Sequence, residues 1–157
     1  MGAEMQIIYQ VEGKLCRDFI GQISYTVCLE QTYDELDIEF SFGPQHFQPG
    51  EVTEEQKQKI LAYCKKEYGL SPSNEDELDD ALCHQMKTEI HTIAMLNDEF
   101  IGGIHRQLTT RHMHFTKEDA TEGCIPQPAI EGVLKVIILA FSVLVDNTEY
   151  SLTVRAR

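Results

Sequence analysis

The chain has 157 residues, 42% hydrophobic and 25% charged, and its 26 acidic and 13 basic residues give a formal net charge of −13. Such a length and composition fit one globular domain spanning 1–157 and argue against disorder. A surface this negative disfavours direct binding to nucleic-acid backbones or to anionic membranes.

Met1 to Gln6 has no basic stretch followed by an apolar one, so no signal peptide is expected. The longest apolar run, from Val136 to Phe141 with neighbours to Val145, is too short to span a membrane. Five scattered cysteines never form a C-x-x-C pair, which predicts free thiols and a cytoplasmic address.

In chain order, Ile7, Tyr9 and Val11 form a short alternating run that Glu12-Gly13-Lys14 is expected to end as a turn. Ile23, Tyr25, Val27 and Leu29 alternate with small polar residues, and Leu36, Ile38, Phe40 and Phe42 alternate with Asp37, Glu39 and Ser41. Strict alternation predicts strands with one buried face, and their separation suggests an antiparallel hairpin. Gly43-Pro44 and Pro49-Gly50 then break the sheet. Thr53 with Gln56 has the capping-box form, Ile60, Leu61, Cys64 and Tyr68 make a stripe, and Gly69 is placed to end a helix.

A second helix is expected to start at Ser73 or Asn74 and run to about Asn97, with Leu78, Leu82, Met86, Ile90, Ile93 and Ala94 on one arc. Phe100 to Arg106, interrupted by Gly102-Gly103, reads as a bulged strand or a loop, and Leu108 to Phe115 as a strand. Thr116 to Ala120 suggests a helical turn, and Cys124 to Pro128 a loop. Val133 to Val145 is apolar on both faces, which asks for cover from a curled sheet or from another subunit, as in a homo-oligomer. Tyr150, Leu152, Val154 and Ala156 close the chain as a last alternating strand. The expected architecture is α+β: an antiparallel sheet of about six or seven strands, with a helical hairpin inserted between an N-terminal and a C-terminal group of strands.

Chemistry is harder to place. His84 and His91, seven residues apart on the expected helix, sit about 10 Å apart along its axis, too far to share a metal ion. His112 and His114 share one strand face, a spacing that zinc sites use, with His105, Glu118, Asp119 or Cys124 as the third ligand. No cofactor is expected otherwise. Cys124 beside this segment is a candidate nucleophile, although no family signature surrounds it.

The wider segment from Gly103 to Lys117 is more distinctive, because it has no carboxylate while holding His105, Arg106, Arg111, His112, His114 and Lys117. In a chain this acidic, such a stretch is where an anion settles most readily. Arg106 and Arg111 offer bidentate forks, the histidines offer further donors, and Gly102-Gly103 allows close backbone approach. The competing reading pairs these charges with Asp34 to Glu39 or Glu75 to Asp80 in ordinary surface bridges.

The leading expectation is a non-enzymatic domain that binds a small anionic ligand or a partner protein through His105, Arg106, Arg111, His112 and His114. A metal- or histidine-dependent hydrolase centred on His105, His112 and His114 is the first alternative. The second is an acidic interaction or inhibitor domain using Asp34 to Glu39 and Glu75 to Asp80. If imidazolium groups hold the anion, affinity weakens as pH rises through about 6.5.

Overall fold

The computed structural model describes residues 4–47, 53–69, 86–104 and 108–157. Among them are eight strands and one helix, in the order β1 (Gln6–Leu15), β2 (Gly21–Cys28), β3 (Leu36–Gly43), α1 (Glu54–Tyr68), β4 (Glu89–Leu96), β5 (Glu99–Ile104), β6 (Thr110–Phe115), β7 (Val133–Ser142) and β8 (Thr148–Ala156). They form two four-stranded sheets, β1-β8-β3-β6 and β2-β7-β4-β5. Every strand pair is antiparallel.

The pairs β1–β8, β2–β7, β3–β6 and β4–β5 are nested one inside the next. A chain doubled back on itself and then rolled gives this order, which is the eight-stranded jelly roll. Inward residues of both sheets meet in one core, including Leu36, Ile38, Met113, Phe115, Leu152 and Val154 from the first sheet and Ala94, Leu134 and Val136 from the second. Phe40, Phe42, Ile90, Ile138 and Tyr150 continue it toward one end.

The expected α+β architecture and its helical hairpin are overturned. The first helix is present with its reciprocal cap: Thr53 N donates to Gln56 Oε1 at 2.9 Å and Gln56 N to Thr53 Oγ1 at 3.2 Å. Gly69 ends it at φ 66°. Ile60 and Leu61 pack on Phe47 and Leu144. The expected second helix fails over Glu89–Leu96, which is a strand burying Ile90, Thr92, Ala94 and Leu96; residues 70–85 lie outside the described residues. A short apolar run satisfies both periods, and here the β-branched Ile90, Thr92 and Ile93 favour the extended form. Asn97 and Asp98, both at positive φ (52° and 67°), make the tight turn into β5 rather than a helix end.

Three smaller expectations also change. The strands over 23–29 and 36–42 are not a hairpin, because β2 and β3 belong to different sheets. Gly13 does not end β1, which continues to Leu15 in register with β8. Thr116 to Ala120 is a bend rather than a helical turn, closed by Asp119 N donating to Thr116 Oγ1 at 3.0 Å. The central strand expected over 133–145 is present as β7 between β2 and β4 but ends at Ser142, and its second face is only half covered and leaves Phe141 50% exposed.

The two lateral sides of the sandwich differ. On one side the segment 116–125 closes the edges of β6 and β5, through bridges Phe115–Ala120 and Gly102–Cys124 and the bond from Ile125 N to Ile101 O at 2.8 Å. On the other side β1 and β2 lie at the ends of their sheets, with the rings of Tyr9 and Tyr25 6.2 Å apart.

Candidate functional site

Alternation along β6 divides the distinctive segment between two environments. Arg111, Met113 and Phe115 point inward and are buried, while Thr110, His112 and His114 point outward. His105 and Arg106 lie outside the described residues.

Arg111 is 3% exposed. Its Nη1 donates to Ile90 O at 2.6 Å and Ile104 O at 3.4 Å, and Nε and Nη2 donate to Leu108 O at 3.2 and 2.9 Å. The guanidinium carbon sits 5.7 Å from the ring centres of both Phe40 and Phe42. Carbonyl dipoles and aromatic faces thus solvate the cation, and among the described residues no carboxylate pairs with it. Burial pushes its pKa down from the ordinary arginine value. An inward-pointing charge on an edge strand also discourages strand addition there.

A cleft of about 440 Å³ opens beside this side chain. Its lining among the described residues is Gly103, Ile104, Leu108, Thr110, Arg111, His112, Thr121, Glu122 and Gly123. The sequence pointed to Gly103, Arg111 and His112. It did not point to Thr121, Glu122 and Gly123, which arrive through the bridge of Cys124 to Gly102.

The outer face of the first sheet carries a different arrangement. Glu35, Asp37 and Glu39 form an acidic row along and just before β3, flanked by basic residues of β6 and of the β8 end. His112 Nδ1 lies 3.0 Å from Asp37 Oδ2, and His114 Nε2 lies 2.7 Å from Glu35 Oε1. From the other side Arg155 Nη1 donates to Glu39 Oε1 at 2.9 Å, and Arg157 pairs with Glu35. Burial alone would raise the Glu35 carboxyl, but hydrogen bonds from His114 and Arg157 outweigh it and hold the group below its ordinary value. His114 is therefore committed to this ladder and does not line the cleft; His112 belongs to both.

Cys124 is half-buried against Gly102, whose missing side chain makes the room: a Cβ there would lie 2.6 Å from the Cys124 sulfur. Burial raises the thiol pKa, and a backbone hydrogen bond at Gly103 offsets only part of this. That is the protonation state of a packed thiol rather than of an activated nucleophile. His91 sits on the outer face of β4 with Nε2 3.0 Å from Glu89 Oε1, and His84 lies outside the described residues. Among the described residues no three histidine, cysteine or carboxylate side chains are placed to hold a metal ion. No helix of the described residues is long and apolar enough to cross a membrane.

Fold and site together define a jelly-roll β-sandwich with a buried arginine, unpaired by any carboxylate among the described residues, beside a cleft at its closed side. The chain belongs to a family of unknown function (DUF6669), whose model matches residues 5–157. No curated protein and no solved structure matches it significantly.

Proposed function

We propose that this is a non-enzymatic binding domain whose cleft at the closed side takes a small anionic ligand. One observation carries the reading: Arg111, buried and without a carboxylate partner among the described residues, is part of the lining of the cleft. A buried cation compensated, among the described residues, by carbonyl dipoles and aromatic faces rather than by a carboxylate favours an incoming anion far more than a surface arginine does. Among the described residues one Nη2 hydrogen is not used by a carbonyl, and His112, Thr110 and Thr121 add polar groups to the lining. Ile104 and Leu108 give the cleft an apolar wall, so the fitting ligand is a carboxylate with a short hydrocarbon body rather than a bare inorganic ion.

The test is a calorimetric and thermal-shift panel of short-chain carboxylates, dicarboxylates, phosphate and sulfate on the full chain. Carboxylates should raise the melting temperature, and His112→Ala should weaken binding about tenfold, the loss of one charge-assisted hydrogen bond. Arg111→Lys, which keeps the charge but loses the fork, should abolish binding while remaining folded by circular dichroism. A panel in which no anion shifts the melting temperature, or in which Arg111→Lys binds as wild type, would overturn the assignment.

A further inference from the structure

The two sheets present four edges, and three of them are blunted. β6 carries the inward Arg111 and runs into the bend at 116–121. β5 is overlaid by residues 123–125, with Gly103 N donating to Gly123 O at 3.1 Å. β1 is interrupted by a register shift between Ile7 and Tyr9 and carries Glu12 and Lys14. These are the standard means by which sheet edges avoid pairing.

β2 has none of them. It runs in unbroken register with β7 from Gly21 to Cys28, and among the described residues no segment pairs with its other edge. From Phe19 to Leu29 the sequence has no charge and no proline. Gln22, Ser24, Thr26 and Cys28 are exposed, and the adjacent Ile20 is 74% exposed. The rim beneath is unsealed, since Tyr9, Val11, Ile23 and Tyr25 are only partly buried there.

We propose that β2 is a homodimerisation edge, where two copies of the chain join antiparallel and make the second sheet continuous across both. Backbone hydrogen bonds along the edge would supply the contact, as in strand addition generally. The strand is self-complementary. A two-fold axis at Tyr25 sets Ile23 against the partner's Val27 and Ser24 against the partner's Thr26, so apolar and polar rows each meet their own kind. Charge selects the same edge. Two copies of net charge −13 repel each other, and the repulsion is least along the one edge that bears no charge.

Sedimentation equilibrium of the full chain over a range of concentrations should show a mass approaching twice that of one chain. Ser24→Lys and Thr26→Lys, both at exposed positions, should each return the mass of a single chain with unchanged circular dichroism. Hydrogen exchange on the unmodified protein is an independent readout: the β2 amides directed away from β7 should be slowed at high concentration and released on dilution. A single-chain mass at every concentration overturns the proposal. So does a dimer that persists in both lysine variants, or one dissociated by Phe141→Lys instead, which would assign the interface to the outer face of the second sheet. A chain that is monomeric alone yet binds an added β2 peptide would likewise overturn self-pairing, giving the edge to a strand of another protein.

Discussion

The ring of Tyr150 occupies the space a side chain at Gly13 would need: a Cβ built there would lie 2.5 Å from the phenol carbon and oxygen. Tyr150 cannot easily withdraw, since it is buried and its hydroxyl lies 2.5 Å from that of Tyr25. Gly13→Ala should therefore destabilise the protein by about 2 kcal/mol, the usual cost of overpacking, measured by urea denaturation. A melting curve indistinguishable from wild type would mean that the ring moves aside freely.

Glu35 gives the fold an acid-sensitive element. Its pKa is lower folded than unfolded, so its contribution is fully present above the unfolded value of about 4.3 and is lost as pH falls through the folded value. Glu35→Gln should cost about 1 kcal/mol at neutral pH, within the range for charge-assisted hydrogen bonds at a partly shielded site. Denaturation curves of the two proteins should converge as pH drops below about 4. A constant gap down to strongly acidic pH would show that the carboxylate's charge is not what matters.

Thr92 is fully buried, and among the described residues its Oγ1 has no hydrogen-bond partner. Replacing the hydroxyl by a methyl group of similar shape removes an unsatisfied polar atom. Thr92→Val should be neutral or stabilising by about 1 kcal/mol, from the desolvation penalty it relieves. A clear loss of stability would reveal a partner for that hydroxyl.

Arg111→Met retains much of the side-chain length but leaves the carbonyls of Leu108, Ile90 and Ile104 without their shared donor. We expect a loss of roughly 3 kcal/mol, set by unsatisfied buried acceptors rather than by lost charge pairing. The comparison with Arg111→Lys in thermal denaturation separates the two causes, since lysine should recover part of the loss. Equal losses would mean that the planar fork itself is required.

The legible parts of the fold were those with a local cause. The alternation of β3 and β8, and the capping box at Thr53 and Gln56, follow from neighbours a few residues away. Gly13 resembles a turn residue locally, because its reason, the ring of Tyr150, lies on the last strand, β8. Glu89–Leu96 is ambiguous on its own because Ile90, Ile93 and Ala94 suit a helical arc as well as a strand, and the partners β5 and β7 decide. The placement of His112 and His114 on one face was visible from spacing two. That Arg111 turns inward was equally available from that spacing, but alternation marks which residues share a face, not which face holds a cation. The Arg155 and Arg157 ends of the ladder were invisible, being more than a hundred residues from the carboxylates they meet.

The nesting of the strand pairs also fixes an order of events. Among the described residues only β4 and β5 are joined by a tight turn, at Asn97-Asp98; β1 meets β8 far along the chain, with Gln6 opposite Ala156. Closing a long loop before anything rewards it is entropically unfavourable and slow, so we expect the roll to grow outward from its middle. During synthesis, neither β1 nor β3 can then have its β8 partner until the segment through Ala156 has emerged from the ribosome. Pulse-labelled hydrogen exchange should protect β4 and β5 amides first and β1 last; simultaneous protection of all strands would contradict this sequence.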